Sequence, residues 1–166
     1  GAHPACALSL SCRPQSLHRS YARLKLSQIA YPGPVRLYLC RHAHAVSGSP
    51  DALRALSGAG EVQARELAQR LAAIDPRPEA VLSSPLLRAR QTAEAIARAL
   101  GIEVTVDDRL APGSTPATLL AAARDSGASA VATVGHQPDC SDIASAVTGS
   151  DPGFRPAGMA ALDLDG

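Results

Sequence analysis

A chain of 166 residues has the length of one ordinary domain, and with 46% hydrophobic residues it can bury a core. Aromatic residues make up only 2%, so that core must be built from Leu, Val, Ile and Ala. A formal charge of +1 excludes the broad basic surface that non-specific nucleic-acid binding needs, and no apolar run approaches the ~20 residues of a membrane span.

The charge is unevenly spread. Residues 1–34 hold Arg13, Arg19, Arg23 and Lys25 and no acid, whereas residues 35–166 set the other 12 of the 16 basic residues against 15 acids, a net −3. Pro4, Pro14, Pro32, Gly33 and Pro34 punctuate the first segment, where a short helix over Gln15–Leu26 is compatible with the pattern. Its Arg and Ser without acids resemble a transit peptide. The simpler reading is an irregular or processed extension over 1–34, preceding one domain over 35–166. Cys6, Cys12, Cys40 and Cys140 form no CxxC pair, so no disulfide framework is expected and the compartment reads as reducing and cytoplasmic.

The first predicted strand, Val35–Cys40, is apolar at nearly every position, as a strand covered on both faces requires. After a polar loop over Ala45–Asp51, Ser57 caps a helix reaching Ile74, with Val62, Leu67, Leu71 and Ile74 along one stripe. Ala80–Ser83 is a second strand. Ser84 then caps a helix that opens on Pro85 and ends at Gly101. Glu103–Val106 is a third strand, and Asp107–Ser114 a loop. Thr115 caps a helix through Asp125. Ala128–Val134 is a fourth strand, Pro138 opens a helix to Thr148, and Met159–Leu164 is a last strand. Strands alternating with helices predict an α/β fold, a three-layer α/β/α sandwich around a mostly parallel sheet.

In such sheets function gathers at the carboxyl ends of the strands. Arg41 and His42 follow the first strand, Arg88 lies one turn beyond the second, and His136 follows the fourth. Arg90 and Arg98 have a different helical phase and read as solvated. Two guanidinium groups and two imidazoles around one point would bind a phosphate, with arginine forks on its oxygens. A neutral imidazole can attack phosphorus, and nearby cations favour that neutral form. Because side chains would neutralise the charge, neither metal nor cofactor is required. Cys40, His42 and His44 alternate onto one face if the strand continues, a spacing compatible with metal ligands, but no fourth ligand stands at a matching spacing. Ser83 and Ser84 lie in no GxSxG elbow, and Gly58-Ala59-Gly60 reads as a helix-start turn, not a nucleotide loop.

Three stretches carry a resemblance. Leu37-Tyr38-Leu39-Cys40-Arg41-His42-Ala43 resembles the Arg-His-Gly motif of the histidine phosphatase superfamily, with Ala43 in place of glycine. Ser83-Ser84-Pro85-Leu86-Leu87-Arg88-Ala89-Arg90-Gln91-Thr92-Ala93 is similar to that family's second motif, and Val134-Gly135-His136-Gln137-Pro138-Asp139 to its third. The short chain and the His44-Ala45 that follow the first motif are most similar to the small SixA-like phosphohistidine phosphatases. The resemblance spans residues 35–164 and implies a phosphoglycerate mutase-like fold, His42 as nucleophile, and Arg41, Arg88 and His136 as the phosphate pocket.

One departure bears on substrate. Many members place a glutamate acid after the third strand, where this chain has Asp107-Asp108-Arg109-Leu110-Ala111-Pro112-Gly113. An alkoxide leaving group needs a proton from the enzyme, whereas an imidazole can depart already protonated. Protein phosphohistidine, on a partner of the histidine-containing phosphotransfer type, is therefore the expected substrate. Asp108 and Asp139 are candidate acids for esters, and His44 is expected at the pocket mouth. The rival readings are a phosphomonoesterase of small phosphorylated metabolites and a phosphate-binding module without turnover.

Overall fold

The structure, a computed structural model, describes residues 34–164. The expected extension over 1–34, with its short helix, and the cysteines Cys6 and Cys12 lie outside the described residues, save Pro34. The strands are β1 (Val35–Arg41), β2 (Ala80–Ser83), β3 (Val104–Val106), β4 (Ala130–Gly135) and β5 (Met159–Leu164). The helices are α1 (Gly58–Ala73), α2 (Leu87–Leu100), α3 (Pro116–Asp125) and α4 (Asp139–Thr148), with 3-10 turns at Asp51–Leu53 and Asp108–Leu110. The five strands lie in the order β3-β2-β4-β1-β5. All neighbours are parallel except β1 and β5. This is the mostly parallel α/β architecture that the alternation of elements called for.

Alternate side chains of β1 divide between two cores, because successive strand residues face opposite sides of the sheet. Tyr38 and Cys40 pack with Leu67, Leu71, Val81, Ile96 and Val134 beneath α1 and α2. Leu37 and Leu39 pack with Leu82, Leu119, Ile143, Phe154 and Leu162 against α3 and α4. Leu37, Leu67, Leu71 and Ile96 are fully buried, each contributing roughly 1.5–3 kcal/mol of apolar transfer. Burial also holds the Cys40 thiol protonated, and this side chain serves packing. Among the described residues no helix is long and apolar enough to cross a membrane.

Local signals set most boundaries. Ser57 Oγ accepts the Gly60 amide to cap α1. Gly101, at φ 73°, closes α2 in the left-handed conformation that glycine adopts without penalty. Thr115 and Thr118 form a reciprocal capping box at the start of α3.

Two local expectations fail. Val62 is 46% exposed, so the α1 stripe does not include it. The buried set is Gly60, Ala64, Leu67, Ala68 and Leu71. Val62 lies five residues from Leu67, about 140° around a helix of 3.6 residues per turn. Ser84 is not the cap of α2 either: that helix begins at Leu87, its N-cap is Leu86, and no side chain caps it. The Ser84 amide instead donates to the Val134 carbonyl at 3.0 Å, extending the β2–β4 ladder by one residue and turning the hydroxyl towards β4.

Candidate active site

Sheet register brings the three strand ends together. Arg41 pairs with Gly135, and the His42 amide donates to the Gly135 carbonyl at 3.0 Å. Ser83 pairs with Val134 on the other side of β4. The carboxyl ends of β1, β4 and β2 are thus adjacent, and the residues just beyond them meet.

His42 is held from both ring nitrogens. Nδ1 lies 2.7 Å from the Ala43 carbonyl, which can only accept, so Nδ1 carries the proton. Nε2 then presents its lone pair, to which Arg88 Nε donates at 3.2 Å. Burial pushes the His42 pKa down to about 4, and the charges of Arg88, Arg41 and Arg54 act in the same direction against the bond to Ala43. The imidazole is therefore neutral throughout the physiological range.

His136 faces His42, with ring centroids 5.2 Å apart and planes inclined at 56°. Its pKa is also driven down to about 4, by burial first, then by His42 and Arg88, with Asp51 opposing. His136 Nε2 lies 2.7 Å from Ser84 Oγ. That hydroxyl accepts the Leu86 amide at 3.3 Å, so its own proton is free to go to Nε2. The ring proton of neutral His136 then sits on Nδ1, which is buried and has no protein partner.

Arg41 Nη1 donates to the Phe154 carbonyl at 2.8 Å, while its buried Nε has no protein partner. Buried N–H groups are rarely left unpaired, and an oxygen-rich anion is the ligand that suits such donors. Arg88 is almost fully buried. Its Nη1 donates to the Asp51 carbonyl at 2.8 Å and its Nη2 to Asp51 Oδ2 at 3.0 Å. Thr92 Oγ1 accepts the Ala43 amide at 3.1 Å and donates to the Arg88 carbonyl at 2.8 Å, tying the two halves of the site together.

The other candidates lie apart from this network. His44 is exposed; its Nδ1 is 2.8 Å from Ser57 Oγ and its amide donates to Gln63 Oε1, so it ties the loop after β1 to α1. Asp139 Oδ2 accepts the Gly113 and Ser114 amides at 2.8 and 3.2 Å, stapling a loop to α4. Asp108 is exposed in the second 3-10 turn. Among the described hydrogen bonds none joins these three to Arg41, His42, Arg88 or His136. Among the described residues no group of three or more His, Cys, Asp or Glu stands where it could hold a metal ion. Ser84, Thr92, Asp51 and Arg54 were not foreseen as site residues; Ser84 and Thr92 lie within the second motif, where Ser84 was read as a cap, and Asp51 and Arg54 stand outside all three motifs.

A neutral imidazole with an available lone pair, walled by arginines at the rim of an α/β/α sheet, is suited chemically to an oxygen-rich anion such as phosphate. The comparisons agree. The profile of the histidine phosphatase superfamily (branch 1) matches residues 37–112. The chain is 39% identical over 142 residues to an uncharacterized protein of Picosynechococcus, covering 77% of this chain and 84% of that one. Its fold matches the protein histidine phosphatase SixA complexed with tungstate at a TM-score of 0.71, with 26% identity over 79% of this chain and 89% of the other. An Agrobacterium tumefaciens structure named for SixA phosphohistidine phosphatase matches at 0.69, with 33% identity over 81% and 93%. The chain belongs to the histidine phosphatase superfamily, in its SixA-like, phosphoglycerate mutase-like form.

Proposed function

We propose that this phosphatase removes phosphate from protein phosphohistidine through a phosphoenzyme formed on His42. The observation that carries the reading is the His42 imidazole, neutral, with its proton committed to the Ala43 carbonyl and Nε2 left to attack. In the first step the Nε2 lone pair forms a bond to phosphorus. The substrate P–N bond breaks, and its electron pair leaves with the substrate imidazole. In the second step water attacks phospho-His42, releasing phosphate and restoring the enzyme.

Arg41, Arg88 and the Nδ1–H of His136 serve as donors to the equatorial oxygens, where charge is spread in the transition state. Arg88 moves from guarding Nε2 to binding the phosphoryl group as the substrate enters. Nothing in this scheme calls on a metal. The position of Asp139 in a loop staple and the exposure of Asp108 support the N–P choice, since neither is bonded into the site to protonate an alkoxide. The SixA-like neighbours support a phosphoprotein partner.

The test is turnover of a phosphorylated histidine-containing phosphotransfer protein, compared with a panel of small phosphoesters. The expected result is a clear preference for phosphohistidine and complete loss of phosphate release in His42→Ala. Activity retained in that variant refutes the nucleophile, and a preference for esters refutes the substrate. Stoichiometric binding of phosphate with no turnover would make the chain a binding module instead.

A further inference from the structure

Asp51 stands where the deeply buried part of the site meets solvent. Its side chain is 59% exposed, whereas that of Arg88, which it bonds, is 7% exposed. Among the described residues it is the one carboxylate hydrogen-bonded to any of Arg41, His42, Arg88 and His136. Its two oxygens are shared between two arginines: Oδ2 accepts from Arg88 at 3.0 Å and Oδ1 from Arg54 at 2.9 Å. A carboxylate has about four acceptor positions, so each oxygen can take a further bond.

The loop that carries Asp51 is built, not loose. Ala45 bridges Leu56, the Val46 amide donates to the Ala55 carbonyl, and Arg54 Nε donates to the Val46 carbonyl at 2.7 Å. The hydrogen bonds from Arg54 and Arg88 lower the Asp51 carboxyl pKa and keep it ionised. Once the phosphate draws Arg88 away, the Asp51 carboxylate keeps only Arg54, and a positive group on the substrate can replace the partner it loses. An alkoxide leaving from an ester develops negative charge, which this carboxylate disfavours. A phosphohistidine protonated on its distal ring nitrogen brings an N–H and a positive charge, which it favours.

We propose that Asp51 selects the leaving group, accepting a hydrogen bond from the distal N–H of a protonated phosphohistidine imidazole while Arg54 holds the carboxylate in place. The assignment rests on the phosphohistidine reading above and deepens it. When the phosphoryl group draws Arg88 onto its oxygens, Oδ2 is released to face the substrate ring. As His42 Nε2 bonds to phosphorus, the P–N electron pair returns to the substrate imidazole. The ring already holds its distal proton, so it leaves neutral, and no proton passes to the enzyme. Asp51 thus acts on an incoming substrate by charge and hydrogen bonding, and is not a general acid.

The experiment compares kcat/KM for a phosphorylated histidine-containing phosphotransfer protein with kcat/KM for p-nitrophenyl phosphate, in the wild type, Asp51→Asn and Asp51→Glu. Loss of one charge-assisted hydrogen bond lowers the phosphohistidine rate by about 10- to 100-fold in Asp51→Asn. The p-nitrophenyl phosphate rate is expected to fall less than the phosphohistidine rate, by only what a less firmly held Arg88 costs both substrates, so that the ratio of the two drops by about tenfold or more. Asp51→Glu, which keeps the charge, should restore part of the ratio. A parallel fall on both substrates would mean that Asp51 only orients Arg88, and an unchanged ratio in Asp51→Asn would mean that it touches no leaving group; either result overturns the assignment. A wild type that prefers esters overturns the functional reading itself, which separates the two failures.

Discussion

Acid should switch this site off far below the usual range for histidine. The perturbation is a titration from pH 7 to pH 4. With an ordinary pKa of 6.5, about three quarters of an imidazole would be protonated at pH 6 and unable to attack phosphorus. With the pKa of His42 at about 4, only about one per cent is protonated there. Burial is the largest cause, and the Arg88, Arg41 and Arg54 charges add to it. His136 has the same direction and lies 5.2 Å away, so the two imidazoles titrate as a coupled pair. The assay follows both rings by NMR across the titration, beside kcat/KM on p-nitrophenyl phosphate, whose own phosphate ionisation is recorded separately. Neither ring should gain a proton above about pH 5. Stability follows with a fixed sign. Below the unfolded pKa of 6.5 the unfolded chain binds protons that the folded rings refuse, so stability falls from about pH 6.5 towards pH 4 and this contribution levels off below that. A His42 midpoint between 6 and 7 would refute the claim that burial and the arginine cluster keep the His42 imidazole neutral.

Two substitutions probe the supports of the site. Ser84→Ala removes the fully buried hydroxyl that holds His136 Nε2 at 2.7 Å and accepts the Leu86 amide; leaving these groups unpaired costs about 1–3 kcal/mol, so the melting temperature should drop by several degrees and kcat should fall with the loosened imidazole, checked by thermal unfolding and steady-state kinetics. Gly60→Ala places a Cβ 1.9 Å from the His44 carbonyl oxygen, a clash with backbone that cannot be relieved by a rotamer change. It should destabilise the fold by about 1–3 kcal/mol in denaturant titrations, even though alanine is the better helix former.

The two kinds of structural knowledge differ in range. Ser57, Gly101 and Thr115 act on backbone groups within a few residues of themselves, so their effect was legible in the order of residues. The apolar runs of β1 and β4 were equally plain, because a strand buried on both faces keeps few polar positions, here Arg36 and Arg41 in β1 and Thr133 in β4. Ser84 was legible only as a polar residue before a proline. Its partner His136 lies 52 positions away, and only the pairing of β2 with β4 decides between a cap and a support for the imidazole. Val62 is a different case: its phase, about 140° from Leu67, was already written in the spacing, and the exposed side chain bears that phase out.

Asp51 is the extreme case. In the sequence it is an acid in a Gly- and Pro-containing loop, with no motif around it. Its meaning comes from Arg88, 37 positions later, and from Arg54, which shares its carboxylate. On the proposed reading, the arginines and histidines of the site bind the phosphoryl group, and by themselves they say nothing about what is attached to it. A carboxylate at their outer edge, 59% exposed, does bear on that, because on the proposal it meets the leaving group on the solvent side of the phosphate. Substrate choice in this fold is therefore to be sought in the loop between β1 and α1, whose residues meet the part of the substrate that differs from one phosphorylated molecule to the next.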